Sequence, residues 1–316
     1  MSKLCLCSLL FGVLYSVAVQ SQSWAQPVEN DSFLLPALEE IAHKDGDRIF
    51  SICEIYKGES RTAIIRPNIR CHNAYSVAKL FTVIALGIME DKGIIDIDEP
   101  VFPILKSHFP EKYDPKWEKV KLSDVIRHRV GFSKAGLLDI DADDSSTWPR
   151  NFLLSVLSEK LEYEPGEKYV YTDAAFYIAS YVVYEKTGQK LNEFLIKELF
   201  EPLKFKEYAF STDPDGIPIG ATGLYISVDD MAKLGEMLVN DGQYKGRRIL
   251  SERFVNEAFS RTFELYPLDS EGSAFGKGGM NGQLLYLNRR TKRVVAIFSY
   301  LGDVDSIRKY LLENDK

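Results

Sequence analysis

Histidine and cysteine are scarce in this chain, with four of each in 316 residues. His43, His72, His108 and His128 are dispersed, and no cysteine pair has metal-ligand spacing, so no zinc site and no other metal site is expected. None of the four histidines has a recognisable nucleophile partner, which disfavours a histidine-based triad. Runs of Lys and Arg are also missing. With 39 basic against 46 acidic residues the formal charge is -7, which argues against a nucleic-acid partner. Internal repeats, coiled-coil heptads and low-complexity linkers are absent, which disfavours a structural cell-envelope role. What remains is an ordinary globular composition, 45% hydrophobic and 27% charged, enough for a sizeable core in one large domain or two smaller ones.

The one long apolar run lies at the N-terminus. Lys3 supplies a minimal positive region, Leu4 to Val19 is mostly apolar, and Ser23-Trp24-Ala25 places small residues at the two positions a signal peptidase inspects. The reading is a signal peptide over residues 1–25 and a periplasmic or secreted protein. The alternative is an uncleaved membrane anchor, the run being only marginally short of a span. Lipid attachment at Cys7 is disfavoured by the large Leu6 before it. Cleavage would remove Cys5 and Cys7 and leave Cys53 and Cys71 in an oxidising compartment. A disulfide between them requires Cys71 to fold back beside the strand that holds Cys53, and the sequence leaves this open.

The order of elements gives the fold class. A helix is expected over Ser32 to His43. Strands at Arg48 to Tyr56 and Arg61 to Arg66 flank a Lys57-Gly58-Glu59-Ser60 turn. An apolar helix beginning at Ser76 ends near Gly93, and Pro100, Pro103, Pro110 and Pro115 then break the chain into short pieces. Helices follow at Leu122–His128, Phe152–Ser158, Asp173–Thr187 and Leu191–Leu203, with two more opened by Ser227 and Ser251 as N-caps. Near the end, Gln283–Asn288 and Arg293–Tyr300 read as a hairpin, and Val304 to Asn314 as a final helix. Strands at both ends and helices between them predict an α+β fold. Its antiparallel sheet is flanked by terminal helices and carries a large all-helical insertion. The mature domain would span 26–316, with a sheet part at about 30–72 and 240–316 and a helical part at about 73–239.

The chemistry concentrates in three segments. In Ser76-Val77-Ala78-Lys79, a helix would put Ser76 and Lys79 on one face near its first turn. Burial would depress the lysine pKa and let it take the serine proton. The helix N-terminus adds N–H groups and a positive dipole end for an oxyanion. In Tyr169-Val170-Tyr171-Thr172-Asp173, a tyrosine at the lip of a helix can hold a hydroxyl in a cleft, its pKa lowered by nearby lysines. In Phe275-Gly276-Lys277-Gly278-Gly279-Met280, the glycines allow close approach to an edge strand, and Lys277 places a cation there.

In that order, these segments resemble the three motifs of the penicillin-recognising serine hydrolases, specifically the class C β-lactamase-like branch. The motifs S-x-x-K, Y-x-N and K-T-G or H-x-G stand here as Ser76-Val77-Ala78-Lys79, Tyr171-Thr172-Asp173 and Lys277-Gly278-Gly279. His128-Arg129-Val130-Gly131-Phe132, Ala221-Thr222-Gly223-Leu224-Tyr225 and Gly279-Met280-Asn281-Gly282-Gln283 match in character. The resemblance covers Ser32 to the C-terminus and implies a β-lactamase/D,D-peptidase-like fold. It also implies a serine hydrolase working through an acyl-enzyme without a cofactor on a small-molecule or peptide ester, amide or β-lactam. Ser76 would be the acylating nucleophile and Lys79 with Tyr171 the general base and acid. Lys277 would hold the tyrosine's charge or a substrate anion, and the N–H groups of Ser76 and Met280 would form the oxyanion hole. Asp173, Gly278, Gly279 and Met280 would contact substrate. The rival reading is a catalytically silent binding protein on the same fold.

Two positions depart from the family. Asp173 replaces an amide that can donate to a substrate carbonyl, whereas a carboxylate only accepts. Close to Lys79, it would favour the charged lysine and shift proton abstraction toward Tyr171. Gly278 removes a hydroxyl. Both changes weaken the case for classical β-lactams and fit another acyl group at least as well.

Overall fold

A computed structural model describes residues 32–67, 70–141 and 144–316. The expected signal segment with Cys5 and Cys7 lies outside these residues. Eleven strands are present among those described: β1 (Ile49–Tyr56), β2 (Glu59–Ile64), β3 (Cys71–Asn73), β4 (Tyr208–Phe210), β5 (Leu224–Ser227), β6 (Gln243–Tyr244), β7 (Arg247–Arg248), β8 (Tyr266–Pro267), β9 (Ala274–Gly279), β10 (Gln283–Asn288) and β11 (Arg293–Ser299). Six of them build one sheet in the order β2-β1-β11-β10-β9-β8, with antiparallel pairing throughout.

Alternation along the strands explains why this sheet is covered on both faces. In β11, Val294, Ala296 and Phe298 join the main core, whereas Val295 and Ile297 face a second cluster. The second cluster is closed by the terminal helices Leu35–Lys44 and Val304–Asn314, through Leu38, Ala42, Ile307 and Leu311. A buried charge cluster ties both helices to the sheet. Arg293 pairs with Glu54 and with Asp315 at 3.0 Å, and Glu54 accepts the N–H groups of Leu34 and Leu35 at 3.0 and 2.7 Å. On the main face lies the Val228–Val239 helix, capped by Ser227, whose Oγ accepts from the Asp230 N–H. Gly235 lets this helix approach, because a Cβ there would sit 2.5 Å from Val294.

The helix Ala78–Asp91 is the axis of the other part. Every residue from Ala78 to Met89 is buried, so no polar face is left for water. Each large apolar side chain contributes ~1.5–3 kcal/mol by leaving water. That gain helps to offset the cost of burying Lys79 in the same helix. The helix Asp173–Thr187 packs against it, ending at Gly188 in the left-handed conformation (φ 69°).

The segment between the two arms of the sheet is mostly but not wholly helical. β3, β5 and β4 form a small sheet of their own, and β5 pairs with β3 directly upstream of Ser76. The expected helix Leu191–Leu203 is broken into Leu191–Leu195, a π-turn Ile196–Phe200 and Glu201–Leu203. The first hairpin turns on Lys57-Gly58 alone. Both residues have positive φ, 52° and 78°, as a two-residue hairpin loop needs, so Glu59 and Ser60 already pair within the ladder. Cys53 and Cys71 are separate thiols. Among the described residues no helix is long and apolar enough to cross a membrane.

Candidate active site

Ser76 sits in a 3-10 turn, Tyr75–Val77, that leads into the Ala78–Asp91 helix. The turn is forced on the chain from both sides. The Tyr75 N–H donates to Asn73 Oδ1 at 2.9 Å, and Asn281 donates to the Tyr75 hydroxyl at 3.1 Å. Tyr75 itself takes φ 45°, a strained value for a bulky residue. The result is a half-buried serine at the helix start, with Lys79 one turn on.

Lys79 is fully buried and makes three contacts. Its Nζ lies 3.1 Å from Ser76 Oγ, 2.6 Å from Asp173 Oδ1 and 3.1 Å from the Ala221 carbonyl. An ammonium has three N–H donors, and all three are matched by acceptors. Burial alone would lower this lysine's pKa, as the sequence suggests. The Asp173 carboxylate, reinforced by Tyr171 and Glu264, outweighs burial and raises it above the ordinary value. The expectation of a depressed, proton-accepting lysine is therefore corrected.

Tyr171 reaches Ser76 from the far wall, its hydroxyl 2.6 Å from Ser76 Oγ. It is held by the cap of the next helix. Thr172 is the N-cap of Asp173–Thr187, accepting from the Ala174 N–H at 3.2 Å and donating to the Leu137 carbonyl at 2.6 Å. Asp173 then falls at the first helical position, where a carboxylate is favoured by the helix dipole and where its side chain meets Lys79. Lys79 Nζ lies 4.8 Å and Lys277 Nζ 5.8 Å from the Tyr171 ring centre.

Lys277 is also buried and does not present its charge on the cleft surface as the sequence suggests. Its side chain ion-pairs with Glu264, which is fully buried. Glu264 also lies 3.0 Å from His128 Nε2 and accepts from the Tyr266 hydroxyl at 3.1 Å. Burial works against this carboxylate's charge, but Lys277 and His128 overcome it and hold its pKa well below the usual range. His128 Nδ1 accepts the Thr172 N–H at 3.3 Å, and the His128 ring packs 4.4 Å from the Tyr171 ring.

The third wall is the end of β9. β8 pairs only with Phe275 and Gly276, so Gly278 lies exposed at an open edge. A Cβ on Gly278 would meet only the Gln283 carbonyl at 3.8 Å, so there is room for a side chain. Gly279 differs. A Cβ there would lie 2.8 Å from the Ala74 carbonyl, so a glycine is needed for β9 to reach the serine turn. Met280 follows, exposed.

The structure thus brings Ser76, Lys79, Tyr171 and Asp173 into one hydrogen-bonded set. Lys277 lies behind the tyrosine, and Gly279 packs against the segment that leads into the serine turn. Asp139, Asp141 and Asp173 offer carboxylate oxygens within 4.8 Å of one another, the spacing a metal ion would need. Asp173 is engaged by Lys79, and Asp141 accepts from Thr222. A groove of about 420 Å³ lined by Thr62, Arg70 and Asp229 contains none of the predicted site residues.

The beta-lactamase family profile matches residues 70–310, three quarters of the chain, including Ser76, Lys79, Tyr171, Asp173, Glu264 and Lys277. The chain belongs to the beta-lactamase family. Curated relatives include a Salmonella schwarzengrund protein named "Putative D-alanyl-D-alanine carboxypeptidase", 23% identical over 253 residues. That match covers 62% of this chain and 55% of the relative, so the chain spans about half the length of the curated relatives it matches. Among solved structures, the "Putative 6-aminohexanoate-dimer hydrolase from Bacillus anthracis" superposes with a TM-score of 0.74 at 18% identity, covering 87% of this chain and 80% of that one. A class C beta lactamase from Rhodobacter sphaeroides superposes with a TM-score of 0.64 at 14% identity, covering 87% and 96%. At these identities the superpositions establish the beta-lactamase fold alone.

Sequence reading missed the roles of Glu264, His128, Asp141 and the Ala221 carbonyl in this beta-lactamase-family site. Glu264 carried one signal, an acid flanked by Phe263 and Leu265, both fully buried. An acid between two core positions points inward only with a partner.

Proposed function

We propose that the protein is a periplasmic or secreted serine hydrolase that acylates Ser76 with an ester or amide substrate and releases the acyl group to water. The observation that carries this reading is the pair of contacts on Ser76 Oγ, 2.6 Å from the Tyr171 oxygen and 3.1 Å from Lys79 Nζ. With its three N–H groups committed, Lys79 acts as a cationic donor, and Tyr171 takes the base role as its phenolate. The Ser76 Oγ–carbonyl bond forms as the serine proton passes to the Tyr171 oxygen. The bond to the leaving group then breaks, and the leaving group takes that proton. Water repeats the cycle on the acyl-enzyme, with Tyr171 again accepting and returning the proton.

The N–H groups of Ser76 and Met280 are the proposed oxyanion donors, each worth about 3 kcal/mol in the transition state. The names of the relatives cover a carboxypeptidase, a dimer hydrolase and a beta lactamase. They support acyl transfer and leave the acyl group to the chemistry of this site.

The test is a fluorophosphonate label and a panel of p-nitrophenyl esters, D-amino-acid amides and nitrocefin on wild type and Ser76→Ala. The label should fall on Ser76, and the variant should lose both label and turnover while keeping its circular dichroism spectrum. Turnover above about a thousandth of wild type, with another residue labelled, overturns the assignment. A wild type that neither labels nor turns over is the outcome expected of a silent binding protein.

A further inference from the structure

We propose that Glu264 sets the charge preference of this site: by holding Lys277 in a buried ion pair it withdraws the cation that would receive a substrate carboxylate, and it directs the enzyme to esters and amides with uncharged leaving groups. This rests on the acyl-transfer reading and adds the substrate class to it. The argument begins with the backbone. After the helix Glu252–Ser260 the chain passes through two left-handed non-glycine residues, Thr262 (φ 54°) and Glu264 (φ 61°). Both are uphill conformations, and together they turn the Glu264 side chain inward. There its carboxylate meets Lys277, His128 and Tyr266, with no exposed surface.

Stability alone is a weak reason for such a pair, because apolar side chains of similar volume commonly replace a buried ion pair without loss. Its position gives a better reason. Lys277 lies one residue before exposed Gly278 on the open edge of β9, opposite Tyr171. An unpaired ammonium there would attract a carboxylate on the leaving group. Gly278 offers no side-chain donor in its place. The other lysine of the site, Lys79, is cancelled by Asp173. Both lysines are therefore paired, and Asp139 and Asp141 place two further carboxyl groups within 4.8 Å of Asp173. A carboxylate-bearing substrate would lose its hydration here and find neither Lys79 nor Lys277 free as a countercharge.

The experiment compares kcat/KM for three aryl esters of one acyl group: phenyl, 3-carbamoylphenyl and 3-carboxyphenyl. Wild type should favour the two neutral esters over the carboxylate. Glu264→Gln should raise the ratio of carboxyphenyl to carbamoylphenyl at least about tenfold, as expected for one freed charge at short range. The double variant Glu264→Gln/Lys277→Met should return it to the wild-type ratio. A merely structural glutamate would lower all three rates together. A folded Glu264→Gln with an unchanged ratio overturns the proposal. Should that variant not fold, a wild-type preference for the carboxylate overturns it equally, and a wild-type preference for the neutral pair supports it. Fluorophosphonate labelling of Ser76 in the same samples separates the two readings. Labelling with an unmoved ratio refutes only the role of Glu264, whereas no labelling refutes the acyl-enzyme itself.

Discussion

Replacing Asp173 with Asn removes a carboxylate 2.6 Å from Lys79 Nζ and leaves an amide of the same shape. The amide oxygen can still accept from the lysine, so the packing survives and the charge goes. An opposite charge within ~4–6 Å shifts a pKa by about 1–3 units, and this pair is closer and almost dry. A second route gives the same sign. Stranding a buried charge costs about 3–5 kcal/mol, which presses Lys79 to lose its proton. On both routes the lysine pKa falls once the Asp173 carboxylate is gone. The effect on rate has one sign on either path. A lysine that deprotonates more easily becomes a base at lower pH. A lysine that stays charged is no longer cancelled and stabilises the Tyr171 phenolate, whose ring centre lies 4.8 Å away. The acidic limb of the acylation rate should therefore move to lower pH by about 1–3 units. Stopped-flow acylation with p-nitrophenyl acetate and nitrocefin between pH 4 and 10 measures it. The amide also restores a donor for an acylamide carbonyl, so the lactam-to-ester ratio should rise. A limb within about half a unit of wild type, together with an unchanged ratio, would refute the electrostatic role assigned to Asp173.

Two further outcomes follow from the same contacts. Lys79→Arg should lose about 10²–10³ in kcat, because a planar guanidinium cannot meet Ser76, Asp173 and the Ala221 carbonyl at once; steady-state kinetics on a folded variant reads this. Glu264 should make the protein acid-sensitive. Its folded pKa is depressed, so its contribution is present above the unfolded value near 4.5 and lost as pH falls through the folded value. Urea midpoints between pH 7 and pH 3 should fall more steeply for wild type than for Glu264→Gln, and parallel slopes would contradict this sign.

How much of this was legible in the sequence depended on the range of the interaction concerned. The helix Asp173–Thr187 and the last helix Val304–Asn314 have the boundaries their caps suggest, because Thr172, Gly188 and Asp303 act within one turn. The spacing of Ser76 and Lys79 was equally local. The first hairpin shows where local reading stops. The Lys57-to-Ser60 segment reads as a four-residue turn, yet pairing with β1 recruits Glu59 and Ser60 into a strand. The small sheet β3-β5-β4 was invisible for the same reason, since its strands are three or four residues long and their partners lie up to about 150 residues away.

The protonation state of Lys79 was the most instructive case. Burial and a carboxylate push its pKa in opposite directions, and the sequence shows that both are present without showing which is nearer. Only the fold settles the contest, by setting Asp173, 94 residues on, at 2.6 Å. Lys277 repeats the logic with Glu264, whose role no motif marked. In each case the motif lysine is recognisable from sequence and its effective charge is not, because that charge belongs to an ion pair closed by tertiary structure. A three-motif pattern therefore marks both lysines and Asp173, while the pairing of each lysine with its carboxylate, and the presence of Glu264 at all, is read only from the fold.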